Sequence, residues 1–138
     1  MNSNPRTILT VDDESHILHV VSLKLKNAGF NVVTAADGEE AFETAQAIAL
    51  DMVITDFQMP GMSGLDLSRK LHAEPGKKHL PVMLLTAHGL ALEQVELARA
   101  GITACLSKPF SPRDLLAKVH EMLDARAAAV ATGTPLIA

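Results

Sequence analysis

The sequence predicts an α/β fold in which a parallel five-stranded sheet is covered by helices on both faces. Three observations carry this expectation. Short apolar runs alternate five times with segments whose apolar residues recur at helical spacing. The runs lack the polar alternation of a sheet with one wet face, which fits strands buried on both sides. Glycine, proline and capping residues punctuate the joins.

Ile8–Val11 is the first strand candidate. Glu14–Ala28 follows as a helix, with Ile17, Val20, Val21, Leu25 and Ala28 on its apolar side and Gly29 as its stop. Asn31–Ala35 is strand-like. Asp37 reads as an N-cap with Glu40 three residues on, and the helix is expected to run on through Ala41–Leu50. Asp51–Thr55 is the third strand, and Met59–Gly64 has loop chemistry. A short helix over Leu65–Ala73 closes at Pro75-Gly76. Pro81–Thr86 is the fourth strand, Leu90–Ala100 a helix ending at Gly101, and Thr103–Ser107 the fifth strand. Ser111-Pro112-Arg113-Asp114 caps a last helix expected from Pro112 to about Ala129. Residues 1–131 are expected to form one domain and 132–138 a frayed tail.

Composition narrows the function classes. A chain of 138 residues, 48% hydrophobic, suits one core. Its net charge of -4 provides no footprint for nucleic acid or an anionic membrane, and four phenylalanines are its only aromatic residues. The single cysteine, Cys105, excludes an internal disulfide or a thiolate cluster. With no secretory signal or membrane span in view, a cytoplasmic location is expected.

Ligands of open α/β sheets bind beyond the carboxyl ends of the strands. Four of those ends carry reactive groups: Asp12-Asp13, Asp56, Thr86-Ala87 and Ser107-Lys108-Pro109. Three carboxylates on one rim repel, each close pair by roughly 4 kcal/mol at an effective dielectric of about 20. A hard divalent cation offsets that repulsion, and an all-oxygen ligand set suits Mg²⁺. A carboxylate nucleophile, a metal, a lysine and a hydroxyl together meet the needs of phosphoryl transfer. The remaining polar residues have plainer readings. Glu14 reads as a first-turn acid, His16 and His19 as a solvated helix flank, His72, His79 and His120 as surface, and Cys105 as a small core residue.

Val11-Asp12-Asp13, Asp56-Phe57-Gln58-Met59-Pro60-Gly61-Met62-Ser63-Gly64, Thr86-Ala87 and Lys108-Pro109-Phe110 resemble the signatures of response-regulator receiver domains, the CheY-like family. The resemblance spans roughly Thr7 to Asp124 and suggests a stand-alone, single-domain member. It implies a flavodoxin-like sheet in the order 2-1-3-4-5 with Asp56 as phosphoacceptor. Mg²⁺ would be held by Asp13, Asp56 and the Gln58 backbone carbonyl, with Asp12 acting mostly through a bound water. Thr86, the Ala87 N–H and Lys108 would take the phosphoryl oxygens, and the Lys108–Pro109 peptide would be cis. The implied donor is a sensor histidine kinase or a histidine phosphotransfer protein, and the output is contact with another protein.

Two positions depart from the family pattern or vary within it. Cys105 stands where the family usually carries an aromatic residue that turns as Thr86 moves, so the switch assigned to Thr86 and Cys105 is expected either to work through the fourth helix, by way of Leu90 or Val95, or to be shallow, with helix movement favoured. Gln58 and His88 occupy the positions that gate water attack on the phosphorylated site. A rival reading, an aspartate-nucleophile phosphohydrolase, expects a second Asp where this chain has Gln58. A degenerate, phosphorylation-independent binding module is a second rival, against which Asp13, Asp56 and Lys108 all stand.

Overall fold

The computed structural model describes residues 5–87 and 92–131. Five strands and five helices alternate: β1 (Thr7–Val11), α1 (Ser15–Asn27), β2 (Asn31–Ala35), α2 (Gly38–Ala47), β3 (Met52–Asp56), α3 (Gly64–His72), β4 (Val82–Thr86), α4 (Gln94–Arg99), β5 (Ala104–Ser107) and α5 (Pro112–Ala131). All pairings are parallel, in the order β2-β1-β3-β4-β5. The flavodoxin-like arrangement therefore stands.

Side chains along the inner strands alternate between two apolar layers, which explains why the sequence shows unbroken apolar runs. Ile8, Met52, Ile54, Met83 and Leu85 pack with Val21 and Leu25 of α1 and with Leu115 and Val119 of α5. Leu9, Val11, Val53 and Val82 face the other way, onto α2 and α3. Each fully buried leucine, such as Leu9, Leu67 or Leu71, contributes roughly 1.5–3 kcal/mol by leaving water. β3 and β4 are buried throughout, whereas the edge strands β2 and β5 expose part of theirs.

Helix starts follow local chemistry. The Asp37 side chain accepts from the Glu40 N–H, and Glu40 reaches back to the Ala36 N–H. Ser63 and Asp66 form a complete capping box on α3, a signal hidden inside the stretch read as loop. The Ser111 hydroxyl accepts from the Asp114 N–H, as the capping signature of α5 requires.

Two helices are shorter than expected. α2 stops at Ala47, and Ile48 is extended. The chain needs Ile48–Leu50 to turn toward Asp51, which is clamped to Thr7 by two hydrogen bonds of 2.8 Å, backbone to backbone and backbone to carboxylate. α4 begins only at Gln94, after an extended Glu93 that makes no side-chain cap bond; Leu90 and Ala91 lie outside the described residues. α5 instead runs to Ala131, two residues past the expected end, because its alanine run continues the helix. The tail 132–138 also lies outside the described residues. Among the described residues no helix is long and apolar enough to cross a membrane.

Gly64 opens α3 directly beneath the end of β3. A Cβ there would overlap the Asp56 carbonyl oxygen and the Leu84 Cδ1 atom. Gly101 has φ +75, and a Cβ on it would strike the His72 ring. Gly64→Ala is expected to destabilise the fold by about 1–3 kcal/mol, because neither the β3 backbone nor Leu84 has room to retreat. Urea unfolding checks this: the midpoint should fall with the slope unchanged.

Candidate functional site

The parallel sheet brings the carboxyl ends of β1, β3, β4 and β5 to one rim. Asp12 follows β1 directly and is 2% exposed. One of its oxygens accepts the Glu14 N–H at 2.9 Å, which turns the chain into α1. Asp56 is the last residue of β3 and is 7% exposed. Asp13 is exposed on the same rim. Carboxylate oxygens of Asp12, Asp13 and Asp56 lie within 4.8 Å of one another.

Lys108 reaches this cluster from just beyond β5. Its backbone N–H donates to the Thr86 carbonyl at 2.7 Å, carrying the β4–β5 pairing one residue further. Its Nζ lies 2.9 Å from Asp56 Oδ1, 3.1 Å from Asp12 Oδ2 and 3.3 Å from Glu14 Oε1. The Lys108–Pro109 peptide is cis.

The electrostatics follow from one ammonium serving several carboxylates. Burial raises the pKa of Asp56 above the ordinary aspartate value. The Lys108 hydrogen bond opposes that rise, and the charges of Asp12 and Asp13 add to it. Burial alone would lower the pKa of Lys108. Its hydrogen bonds to Asp56 and Asp12 outweigh burial and hold the ammonium above the usual lysine range. The rim thus keeps a fixed cation and an excess of negative charge.

Thr86 ends β4 beside this cluster, 6% exposed, and Ala87 follows it into solvent. Gln58 is exposed in the loop after β3. His88 lies outside the described residues. Among the described residues no other group of three or more His, Cys, Asp or Glu side chains gathers in this way.

Several expectations about single residues change. Glu14 precedes α1 in the N-cap position, caps nothing with its side chain and instead touches Lys108. Cys105 is exposed and not in the core, because β5 is an edge strand whose alternate residues face out. Partial burial still raises the pKa of its thiol, so exposure alone does not activate it. Val95 is 59% exposed, and Leu97 and Ala100 are the residues of this segment that face the core beside Leu84. His72 is half-buried, with Nε2 2.7 Å from the Leu80 carbonyl.

Two supports for the site were missed at the level of sequence. The Thr55 hydroxyl is fully buried and donates to the Asp56 carbonyl at 3.0 Å. The Gly64 N–H donates to the Phe57 carbonyl at 2.9 Å. Ser63 and Asp66, at capping-box spacing, were the signal that the chain turns back under Asp56 at that point.

Known proteins agree with this arrangement. A family model described as "Response regulator receiver domain" matches residues 8–120. The chain is 36% identical to the chemotaxis protein CheY of Pseudomonas aeruginosa, over 85% of its own length and 95% of that protein's. It is 37% identical to the probable transcriptional regulatory protein TcrX of Mycobacterium tuberculosis, over 88% of its own length but only 51% of that protein's. The structure of chemotaxis response regulator CheY4 of Vibrio cholerae superposes with a TM-score of 0.80 at 35% identity, covering 85% of this chain and 98% of that one. The receiver domain of sensor histidine kinase PA1611 from Pseudomonas aeruginosa, solved with a magnesium ion coordinated in its active-site cleft, gives a TM-score of 0.78 at 26% identity, covering 87% of this chain and 98% of that one. Fold, rim and relatives converge on one conclusion: this chain belongs to the response regulator receiver domain family of two-component signalling.

Proposed function

We propose that the chain is a phosphorylation switch in which Asp56 accepts a phosphoryl group and the acyl phosphate changes which protein the domain contacts. One observation carries this reading: Lys108 Nζ sits 2.9 Å from the buried Asp56 carboxylate, inside a cluster of three carboxylates. An Asp56 oxygen attacks the phosphorus of a phosphohistidine on a kinase or phosphotransfer protein. A P–O bond forms, the P–N bond breaks, and the imidazole leaves with a proton. Lys108 balances the charge on the transferring oxygens. The Thr86 hydroxyl and the Ala87 N–H would donate to the other oxygens, and Thr86 is the residue that moves.

The donor set fits Mg²⁺. Asp12, Asp13 and Asp56 offer only oxygen, and Lys108 alone leaves the cluster negative. Asp13, Asp56 and the Gln58 carbonyl would hold the ion, with Asp12 acting through a bound water; once bound, it supplies charge neutralisation that the lysine cannot. The relative solved with magnesium in its active-site cleft supports Mg²⁺ as the ion. Self-catalysed loss of the phosphoryl group, gated by Gln58 and His88, completes the cycle without turnover of a separate small substrate. Residues 1–131 form the receiver unit in this reading, and output passes through protein contact.

Acetyl phosphate tests the central step. Incubation with Mg²⁺ is expected to add one hydroxylamine-labile phosphoryl group at Asp56; borohydride reduction, which expels phosphate and leaves homoserine, locates it by mass spectrometry. Asp56→Asn protein that still labels at the same rate, or labelling that survives EDTA, refutes it.

Lys108→Met leaves Asp12 and Asp56 without their cation. Breaking a fully buried pair costs about 3–5 kcal/mol, and the solvent at this rim reduces that to about 2 kcal/mol. Asp13→Asn has the opposite sign, since it removes one of three crowded charges. Without metal, Asp13→Asn is therefore expected to melt above wild type and Lys108→Met below it. Added Mg²⁺ should raise the melting temperature of Lys108→Met and leave that of Asp13→Asn unmoved. A separate measurement follows the decay of phospho-Asp56: Gln58→Ala should change the rate several-fold without preventing labelling.

A further inference from the structure

A second concavity lies at the opposite edge of the sheet, where β4 and β5 begin. The end of α3, the loop into β4, the turn from α4 into β5 and the far part of α5 enclose about 580 Å³. Small-molecule sites occupy roughly 300–1,000 Å³. The topology does not call for a ligand here, because open α/β sheets bind at their carboxyl rim.

The lining divides into two chemistries. Leu80, Pro81, Ile102 and Met122 give an apolar floor. Arg69, Lys78, Arg99 and Arg126 stand around it, and among the described residues no Asp or Glu lines the cleft. This cationic ring occurs in a chain whose net charge is -4. Arg69 has a surface partner in Asp66 at 3.6 Å. Lys78, Arg99 and Arg126 make no ion pair among the described residues. Arg126 is nonetheless held in place, since one Nη donates to the Asp51 carbonyl at 2.9 Å. His72 is anchored at one wall through Nε2 and the Leu80 carbonyl, 2.7 Å apart.

Gathered cations beside an apolar floor repel one another and gain when an anion joins them. Guanidinium forks suit phosphate and carboxylate oxygens, and the floor suits a hydrophobic body. We propose that this cleft binds a small organic anion, its apolar part on the Leu80–Met122 floor and its phosphate or carboxylate oxygens on Lys78, Arg99 and Arg126. A nucleoside phosphate and an aliphatic carboxylate share this chemistry. The site is separate from the carboxylate rim and does not depend on Asp56.

Amide chemical shifts of the full chain test the proposal with four probes: AMP, octanoate, inorganic phosphate and adenosine. AMP or octanoate is expected to bind saturably, with shifts centred on Leu80, Gly101, Ile102 and Ala125; which of the two binds identifies the source of the anion. Phosphate and adenosine, each lacking one half of the chemistry, should bind at least about tenfold more weakly. Lys78→Glu and Arg99→Glu alter exposed side chains, so the fold should hold, as a thermal melt verifies. Each is expected to weaken binding about tenfold, the worth of one charge-assisted hydrogen bond. Absence of binding by both AMP and octanoate overturns the proposal, as do shifts confined to other surfaces or affinities indifferent to both charge reversals. A hexaglutamate peptide that displaces AMP at equal concentration would overturn it in favour of a protein segment. Removal of residues 132–138 that tightens AMP binding tenfold would reassign the cleft to the chain's own C-terminal segment.

Discussion

The Lys108 ammonium lies between two carboxylates that the fold has withdrawn from water, and much of the rim is arranged around that contact. Asp12 and Asp56 belong to neighbouring parallel strands, so their separation is fixed by strand spacing and not by side-chain choice. Lys108 reaches both because its backbone extends the β4–β5 ladder by one hydrogen bond to Thr86. Asp13 stays in solvent and outside the lysine's reach, so the cluster remains negative. That imbalance favours a cation at the rim.

Support for Asp56 comes from behind as well. The Thr55 hydroxyl donates to the Asp56 carbonyl, the Gly64 N–H donates to the Phe57 carbonyl beside it, and the Ser63–Asp66 capping box fixes the start of the helix at Gly64. The Asp56 carboxylate therefore stands on strand and helix-start geometry, while Gln58, Pro60 and Gly61 of the loop that follows are exposed.

The two edges of the sheet carry opposite charge. The carboxyl rim gathers Asp12, Asp13 and Asp56, and the other edge gathers Lys78, Arg99 and Arg126 around an apolar floor. α4 spans part of the distance between them: Leu97 and Ala100 pack beside Leu84, and Arg99 stands at the cleft.

The alternation of strands and helices and the polar residues at the strand ends were legible in the sequence because both depend on short-range order, whereas the strand order was implied only by the family resemblance. Strands buried on both faces are expected to be largely apolar, as Met52–Ile54 and Val82–Leu85 are, and ligand-bearing residues to stand where such runs end. Asp12, Asp13, Asp56, Thr86 and Lys108 could thus be named from where the runs end. What the tertiary structure alone decided is which of them touch. That Lys108 bonds Asp12 and Asp56 but not Asp13, that Glu14 joins it, and that Gly64 must lack a side chain all depend on distances between segments far apart in the chain. The exposure of Cys105 and Val95 is of the same kind. An apolar residue in a short strand or helix reads as core, but an edge position leaves one side uncovered, and the edge exists only once the strand order is set. The basic cleft has no local signature at all, because its four cations come from three helices and a loop that meet only when the sheet is closed by α3, α4 and α5.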